Sequence, residues 1–389
     1  MKHAAPLSLI AGALMASNAA LADISFNGFA TIAGGLTSSD KETYAGYDKD
    51  LTFEPDTLVG LQANADLDDG FGATLQLLAR GSEDYNTEAE WAYVSYDVSP
   101  AVRVNAGRQR IPFYMYSDFL DVGYAYSWVR PPEGFYSSPV TSFDGLSLLY
   151  SRYIQDVEFG LQAVAGSFSD SEIRGTTGTY AAELKNYAGL VLSGTWEAFT
   201  VRLTYHKADG TLSGGSLFTG MAGASAAVAS SLPDLARKLD ITRDNFEFMG
   251  VGASYDNGSL VLVSEARKLN FGDNLIPDEQ VFYASAGYRL DALTPYVLFE
   301  RADSTTEDAA LNQMVTVLGA TGQALAEGVE FLARNSSTYS VGVRYDFHPA
   351  AAAKFELSRI DDHRPAATTS AGVTGQDVDL LRVAVDVVF

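Results

Sequence analysis

The sequence predicts an all-β protein, a transmembrane antiparallel up-and-down β-barrel of about sixteen strands. Three observations predict this fold. Segments of about ten residues alternate apolar and polar side chains along nearly the whole chain. Short turns and long polar connectors alternate between these segments, as they do in outer-membrane barrels. The composition is rich in Gly, Tyr and Phe and poor in charged residues, which suits strands flanked by aromatic girdles.

Residues 1–22 differ from the rest of the chain. Lys2 and His3 precede the apolar stretch Leu7–Met15, and Ala20-Leu21-Ala22 then fits a small-residue cleavage site. This pattern predicts a secretory signal peptide over 1–22 and a barrel domain over 23–389. A membrane helix is the alternative, but the apolar stretch is too short to span a bilayer.

The alternating segments start directly after the predicted signal peptide. Val59, Leu61 and Ala63 alternate with Gly60 and Gln62, as in a strand with one apolar face. The predicted strands are 23–32, 59–67, 71–80, 89–98, 101–109, 143–153, 157–167, 187–197, 199–207, 246–256, 259–270, 279–290, 294–302, 338–347, 351–360 and 377–389.

The last segment indicates what each face of the strands meets. Val383 and Val385 lie on one face, whereas Arg382 and Asp386 lie on the other. One face therefore suits lipid and the other suits water. A soluble β-sandwich also alternates in this way, but it rarely contains so many strands of this length. The pattern favours the membrane barrel.

The connectors place both chain termini on the periplasmic side. Short turns lie at 68–70, 99–100, 155–156, 256–258 and 348–349. Long connectors lie at 38–54, 81–88, 110–142, 168–185, 208–245, 271–278, 303–337 and 361–376. Two long connectors contain Ala- and Leu-rich stretches of helical texture, Gly223–Leu239 and Ala309–Arg334. These helices are expected to cap the mouth, enter the lumen or contact a neighbouring subunit.

The composition excludes several classes of function. With 26 Lys and Arg against 49 Asp and Glu, the chain has no net basic surface for binding nucleic acid. Because it contains no Cys, it has no disulfides, thiolate metal sites or Cys nucleophile. His206 is interpreted as a solvated residue of the barrel wall, and no activated nucleophile is evident. We therefore predict no catalytic, cofactor or metal site.

The chain resembles the trimeric, sixteen-stranded general porins of Gram-negative outer membranes. The resemblance rests on the signal ending at Ala22, the opening Ile24–Phe29 and the alternating strand that closes on Phe389. It implies a homotrimer in the outer membrane, in contact with lipid and lipopolysaccharide. It also implies that Phe389 is read by the barrel-assembly machinery. Ala106-Gly107-Arg108 is similar to the family's strand-end arginine before its inward-folded third loop.

The third long connector, Arg110–Ser142, is expected to fold into the lumen; the alternative is that it packs outward against a neighbouring subunit. A structureless external loop of this length is unusual, and its many aromatic side chains would be costly in water. Inside the lumen, the loop would narrow the pore and place its acidic side chains opposite arginines of the wall. These opposed charges would create an electric field across the pore. The candidate constriction residues are Arg80, Arg202 and Arg344 on the wall, Asp118, Asp121 and Glu133 on the loop, and Arg108 from the resemblance. Strand parity alone places Arg108 on the lipid face.

These observations predict a passive, water-filled channel for small hydrophilic solutes and ions, filtered by size and charge at the third loop. Alternatives are a channel selective for sugars or anions, and a receptor or adhesion barrel that uses its long external connectors. A barrel enzyme is a third class, but such enzymes usually have fewer strands and a closed lumen.

Overall fold

The structure, a computed structural model, describes residues 23–39, 43–138, 140–175, 178–363 and 377–389. Within these residues, sixteen antiparallel strands form one closed barrel in which each strand pairs with its neighbours in the chain. The barrel closes where β1 pairs with β16, with Ala30 opposite Val387. The predicted fold class is confirmed. The predicted signal peptide, 1–22, and residues 364–376 of the last long connector lie outside the described residues.

All the predicted strands overlap observed ones. The strands are β1 (Asp23–Thr37), β2 (Leu58–Asp66), β3 (Phe71–Arg80), β4 (Thr87–Ser99), β5 (Val102–Arg110), β6 (Ser142–Ile154), β7 (Val157–Gly175), β8 (Gly178–Trp196), β9 (Phe199–Ser213), β10 (Asp244–Asp256), β11 (Leu260–Asn270), β12 (Asp278–Tyr288), β13 (Leu293–Thr305), β14 (Asn335–His348), β15 (Ala351–Asp362) and β16 (Val378–Val388).

The two faces of the strands differ in exposure, as the alternation predicts. On β16, Val383 and Val385 are 39% and 41% exposed on the outer face, whereas Asp386 on the inner face is fully buried. Aromatic pairs lie on the outer face near the periplasmic turns, such as Phe71 and Tyr96, whose ring centroids are 4.4 Å apart. Such rings suit the interface between lipid and water. The outer face therefore suits lipid, whereas the inner face is covered within the barrel.

One connector prediction is wrong. Residues 168–175 and 178–185, the described part of the predicted connector 168–185, are not a loop, because β7 and β8 continue there as paired strands, with Phe168 opposite Leu184 and Ile173 opposite Tyr180. The hairpin extends beyond the ends of the other strands. Its backbone N–H and C=O groups form the same antiparallel hydrogen-bond pattern as those within the barrel. Polar residues and glycines in this segment weaken the apolar alternation that marks a strand in the sequence.

The helices lie in the third connector and at the external end. A short helix α1 (Glu133–Tyr136) belongs to the third connector, while α2 (Gly215–Val228), α3 (Pro233–Leu239), α4 (Asp308–Leu318) and α5 (Ala320–Leu332) occupy the long connectors after β9 and β13. The helical texture of both connectors is confirmed, although α2 begins before Gly223. The helix predicted over Gly223–Leu239 is also interrupted before Pro233. A proline is tolerated in the first turn of a helix but not in its interior.

Helices α2–α5 pack against one another rather than entering the lumen. Met221, Leu239, Met314 and Val329 are fully buried in one apolar cluster among them. The ring of Phe218 also contacts Tyr180 on the extended β8, with centroids 5.3 Å apart. Among the described residues, no helix has both the length and the apolar character needed to cross a membrane.

Candidate functional site

The third loop, described at residues 111–138, 140 and 141, lies inside the barrel. Most of its aromatic side chains are buried against inward-facing strand residues. Phe113 stacks on Phe248 of β10 with ring centroids 4.4 Å apart, and Trp128 meets Tyr283 of β12 edge-on at 5.7 Å. Burying such large apolar side chains favours this position over display to water. The loop therefore occupies much of the lumen on one side.

A cluster of buried charges holds the loop to β3, β4 and β5. Arg80 lies 3.1 Å from Glu90 and 3.2 Å from Asp121, and Arg110 lies 2.7 Å from Glu90 and also contacts Asp121. Burial alone would raise the pKa of the Asp121 carboxyl. The guanidinium groups of Arg110, Arg80 and Arg130 outweigh burial and hold this pKa well below its usual range. We call Arg80, Glu90, Arg110 and Asp121 the acid–arginine clamp.

Lys354 of β15 anchors a different part of the loop. Its ammonium donates to the carbonyl oxygens of Gly123 at 2.6 Å and Trp128 at 2.7 Å. It also pairs with Asp386 at 2.9 Å and lies 4.6 Å from the centre of the Tyr126 ring. Both charged side chains of the pair are fully buried. The sequence pattern does not single out Lys354, because a lysine on the lumen-facing parity is usually solvated.

A third anchor satisfies the backbone of α1. Glu300 accepts hydrogen bonds from the backbone N–H groups of Gly134 at 3.1 Å and Phe135 at 2.9 Å. Arg267 donates to the carbonyl oxygens of the same two residues, at 2.9 and 3.0 Å. Buried backbone polar groups need such partners. Glu300 was likewise not among the candidate residues from the sequence.

Three of the predicted constriction residues serve mainly to hold the loop. Arg80 and Asp121 are brought together, but in direct contact rather than across an open gap. Arg344 donates to the carbonyl oxygens of Tyr124 at 2.6 Å and Tyr126 at 2.9 Å. The charges of these side chains are therefore largely compensated by the loop that they bind.

Arg202 and Asp118 stay apart. Arg202 of β9 donates to the carbonyl oxygen of Pro112 at 2.9 Å and is partly exposed. Asp118, at the tip of the loop, is exposed and interacts electrostatically with Arg202. Among the ion pairs of the described residues, none within 4.0 Å joins these two groups. Of the predicted acids and arginines, these two come nearest to the expected opposed charges.

Arg108 and Glu133 lie elsewhere. Arg108 is in register with Asp144 and donates to Ser142 Oγ at 3.2 Å, on the face that parity assigns to lipid. The φ angle of Gly107 is +131°, but the pairing continues through it, so the structure does not bring Arg108 to the loop acids. Glu133 is partly buried and, with Arg382, lines a narrow crevice between α1 and the wall.

The lumen keeps open space beside the loop. One cavity of about 260 Å³ lies between the loop and the wall near Tyr116, Ser285 and Arg344. A larger cavity of about 680 Å³ opens between β4 and β9. Its lining includes Asp97, Arg103, Glu158, Gln162, Ser193 and Arg202. The loop therefore leaves this side of the lumen open.

His206 is a packing residue, so its interpretation as a solvated wall residue is wrong. It is fully buried, its Nδ1 lies 2.9 Å from the Tyr187 hydroxyl, and Phe113 of the loop meets it edge-on at 4.9 Å. The inward-folded loop covers this part of the wall. Across the described ranges, no group of three or more His, Asp or Glu side chains is arranged to hold a metal ion.

Comparisons with known proteins agree with this architecture. A family model described as Gram-negative porin matches residues 8–386. Similar solved structures include in-vitro folded OmpT of Vibrio cholerae in its trimer form, with 14% identity, TM-score 0.53 and coverage of 95% of this chain and 99% of that one. Salmonella typhi OmpF in complex with daunomycin has 12% identity, TM-score 0.57 and coverage of 94% and 97%. The outer-membrane channel DcaP of Acinetobacter baumannii has 12% identity, TM-score 0.56 and coverage of 96% and 99%. No curated protein matches significantly.

Proposed function

Because this chain belongs to the Gram-negative porin family and forms an outer-membrane channel, we propose that it conducts small hydrophilic solutes and ions by passive diffusion, filtered by size and charge at the third loop. It catalyses no reaction and needs no energy input. The observation that carries this proposal is the position of the third loop inside the lumen, anchored by the acid–arginine clamp, Lys354 and Glu300. A loop held in this way narrows the pore without closing the space between β4 and β9.

The charge filter consists of Asp118 and Arg202. Both are at least partly exposed, and Arg202 lines the larger cavity. Opposed charges across a narrow passage create a field that orients polar solutes. Arg80, Asp121 and Arg344 set the width of the passage because they hold the loop in place, whereas Asp118 and Arg202 set the electric field across the passage. Arg108 has no direct part in the filter.

The test of this function is electrical. Purified protein in a planar lipid bilayer is expected to produce stepwise, ohmic current increments in salt solution with no added energy source. Folded protein that inserts into the bilayer and produces no current steps would contradict the proposal.

Residues 1–22 act as the export signal in this proposal, and the mature protein begins at Asp23 in contact with lipid and lipopolysaccharide. The protein is a homotrimer, in line with the trimer form of the similar Vibrio cholerae structure. Mass spectrometry of the outer-membrane protein tests the first statement, and native mass measurement in mild detergent tests the second.

Phe389 is the assembly signal read by the barrel-assembly machinery. Its N–H donates to the Gly28 carbonyl at 2.9 Å and its carbonyl accepts from the Gly28 N–H at 2.6 Å. Its ring lies so close over Gly28 that a Cβ there would be 2.2 Å from a ring carbon. Deleting Phe389 is therefore expected to reduce folded, heat-modifiable protein far more than Phe347→Ala, which truncates another outward aromatic. Equal amounts of folded protein from both variants would contradict this role.

A further inference from the structure

Uncharged polar side chains recur along the lumen wall of β2–β8, between apolar ones such as Leu149 and Val191. Gln62 donates to Asn64 at 3.0 Å, Gln76 donates to Gln62 at 2.9 Å, and Thr74 donates to Asn64 at 3.2 Å. These inward-facing amides and hydroxyls continue across the neighbouring strands. The further members are Ser95, Gln162 and Ser193, which are partly exposed, and Asn105, Gln109 and Ser147, which are buried. In the described parts of these strands, charged lumen-facing side chains lie in two places. One is near the periplasmic rim, and the other is at the level of the acid–arginine clamp or on its external side.

Two aromatic side chains share this wall. Trp91 and Tyr93 of β4 lie opposite Gln76 and Thr74 of β3 and therefore face the lumen with them. Both are partly exposed, and their ring centroids are 6.4 Å apart. In contrast, most aromatic residues of the third loop are buried in a cluster with inward-facing residues of β6–β13. Trp91 and Tyr93 therefore place partly exposed aromatic rings beside the amides and hydroxyls.

The cavity at the periplasmic end of this wall has balanced charges. Asp97 and Arg103 form two hydrogen bonds, at 2.5 and 2.8 Å, which compensate both groups. Glu158 accepts hydrogen bonds from the hydroxyls of Ser151 and Tyr153, and Arg202 supplies a second positive charge. The lining acids and arginines therefore cancel. The volume of about 680 Å³ is that of a small-molecule site.

This combination fits one class of solute. An uncharged sugar has hydroxyl groups that exchange hydrogen bonds with amides and hydroxyls, and C–H faces that pack on aromatic rings. A net-charged solute gains little net attraction from the cavity, because its two acids, Asp97 and Glu158, balance its two arginines, Arg103 and Arg202. An apolar solute would leave the polar wall without hydrogen-bond partners.

We propose that the β2–β8 wall is a binding track for uncharged, polyhydroxylated solutes of mono- to disaccharide size, held between the Trp91–Tyr93 pair and the cavity lined by Gln162 and Ser193. This inference rests on the proposed channel function and names its preferred solutes. Sugars cross by moving along this wall, while the loop on the other side limits their size.

The experiment records single channels in planar bilayers while sucrose is added, with gluconate as the charged comparison. Wild-type protein is expected to show a saturable decrease in ion current with sucrose that gluconate does not reproduce at equal concentration. The Trp91→Ala/Tyr93→Ala variant is expected to bind sucrose roughly tenfold more weakly. Tyr339→Ala, which truncates an outward aromatic of β14, is expected to keep the wild-type response.

Several results would overturn the inference. Ion current without any sucrose response would overturn it and leave the channel function intact, whereas folded protein without ion current would overturn the channel function itself. Unchanged sucrose binding in the double variant, or equal loss in Tyr339→Ala, would also overturn it. If the double variant does not fold, Gln162→Leu with Ser193→Ala removes hydrogen-bonding groups instead, and retained wild-type binding there has the same consequence.

Discussion

Deleting Tyr116–Glu133 is expected to give a folded channel with a several-fold larger conductance and a larger solute size limit. The two limbs of the loop already meet where the deletion would join them, because the ring of Tyr114 lies 5.4 Å from that of Phe135. The shortened chain can therefore bridge the gap without pulling on β5 or β6. Single-channel recording with polymers of graded size measures both quantities.

The same deletion is expected to shift ion selectivity towards anions. It removes three acids, Asp118, Asp121 and Glu133, and only one arginine, Arg130. It also frees Arg344 and Lys354 from the loop carbonyls that they bind. The reversal potential in a salt gradient measures this shift. Removing residues 171–182 from the external β7–β8 hairpin is the control and is expected to leave both properties near wild type. Unchanged conductance and reversal potential in the loop deletion would mean that the loop is not the filter.

Replacing Lys354 by Met is expected to release the 123–128 segment of the loop. The change removes two hydrogen bonds to loop carbonyls and leaves the buried Asp386 without its cation. Removing one partner of a buried ion pair costs about 3–5 kcal/mol of stability. We therefore expect a lower unfolding temperature and larger fluctuations in open-channel current.

Arg359→Gln on the same strand is the matched control. Arg359 pairs with Asp361, Asp377 and Asp379 at the exposed external rim, where ion pairs contribute little. If the Lys354→Met variant keeps the low current fluctuations and the unfolding temperature of the wild type, Lys354 does not anchor the loop.

The barrel could be predicted from sequence because lipid and water impose the alternation on every strand. Val385 and Asp386 must face opposite ways wherever the strand sits in the barrel. The inward position of the third loop also follows from composition, since its aromatic residues need a surface to cover. The sequence does not predict the β7–β8 hairpin, because the apolar alternation that marks a strand is weak in this segment beyond the barrel.

The partners of the site could not be predicted in the same way. Strand parity gives the face on which Arg80 and Arg344 lie, but not the height of each side chain relative to the loop. Both arginines were therefore expected to face the loop across a gap, whereas they contact it directly. Lys354 and Glu300 bind loop backbone atoms, and no residue type in the loop indicates which carbonyl or N–H group will face them. His206 was misread because the loop that buries it is distant in sequence.

The central claim is that permeating ions pass the tip of the third loop. The chain contains no cysteine, so Asp118→Cys creates a single thiol that charged reagents can label during single-channel recording. We predict that a positively charged and a negatively charged thiol reagent each produce an abrupt change in current and shift the reversal potential in opposite directions. Complete labelling by mass spectrometry, with no change in current or reversal potential, would contradict the claim.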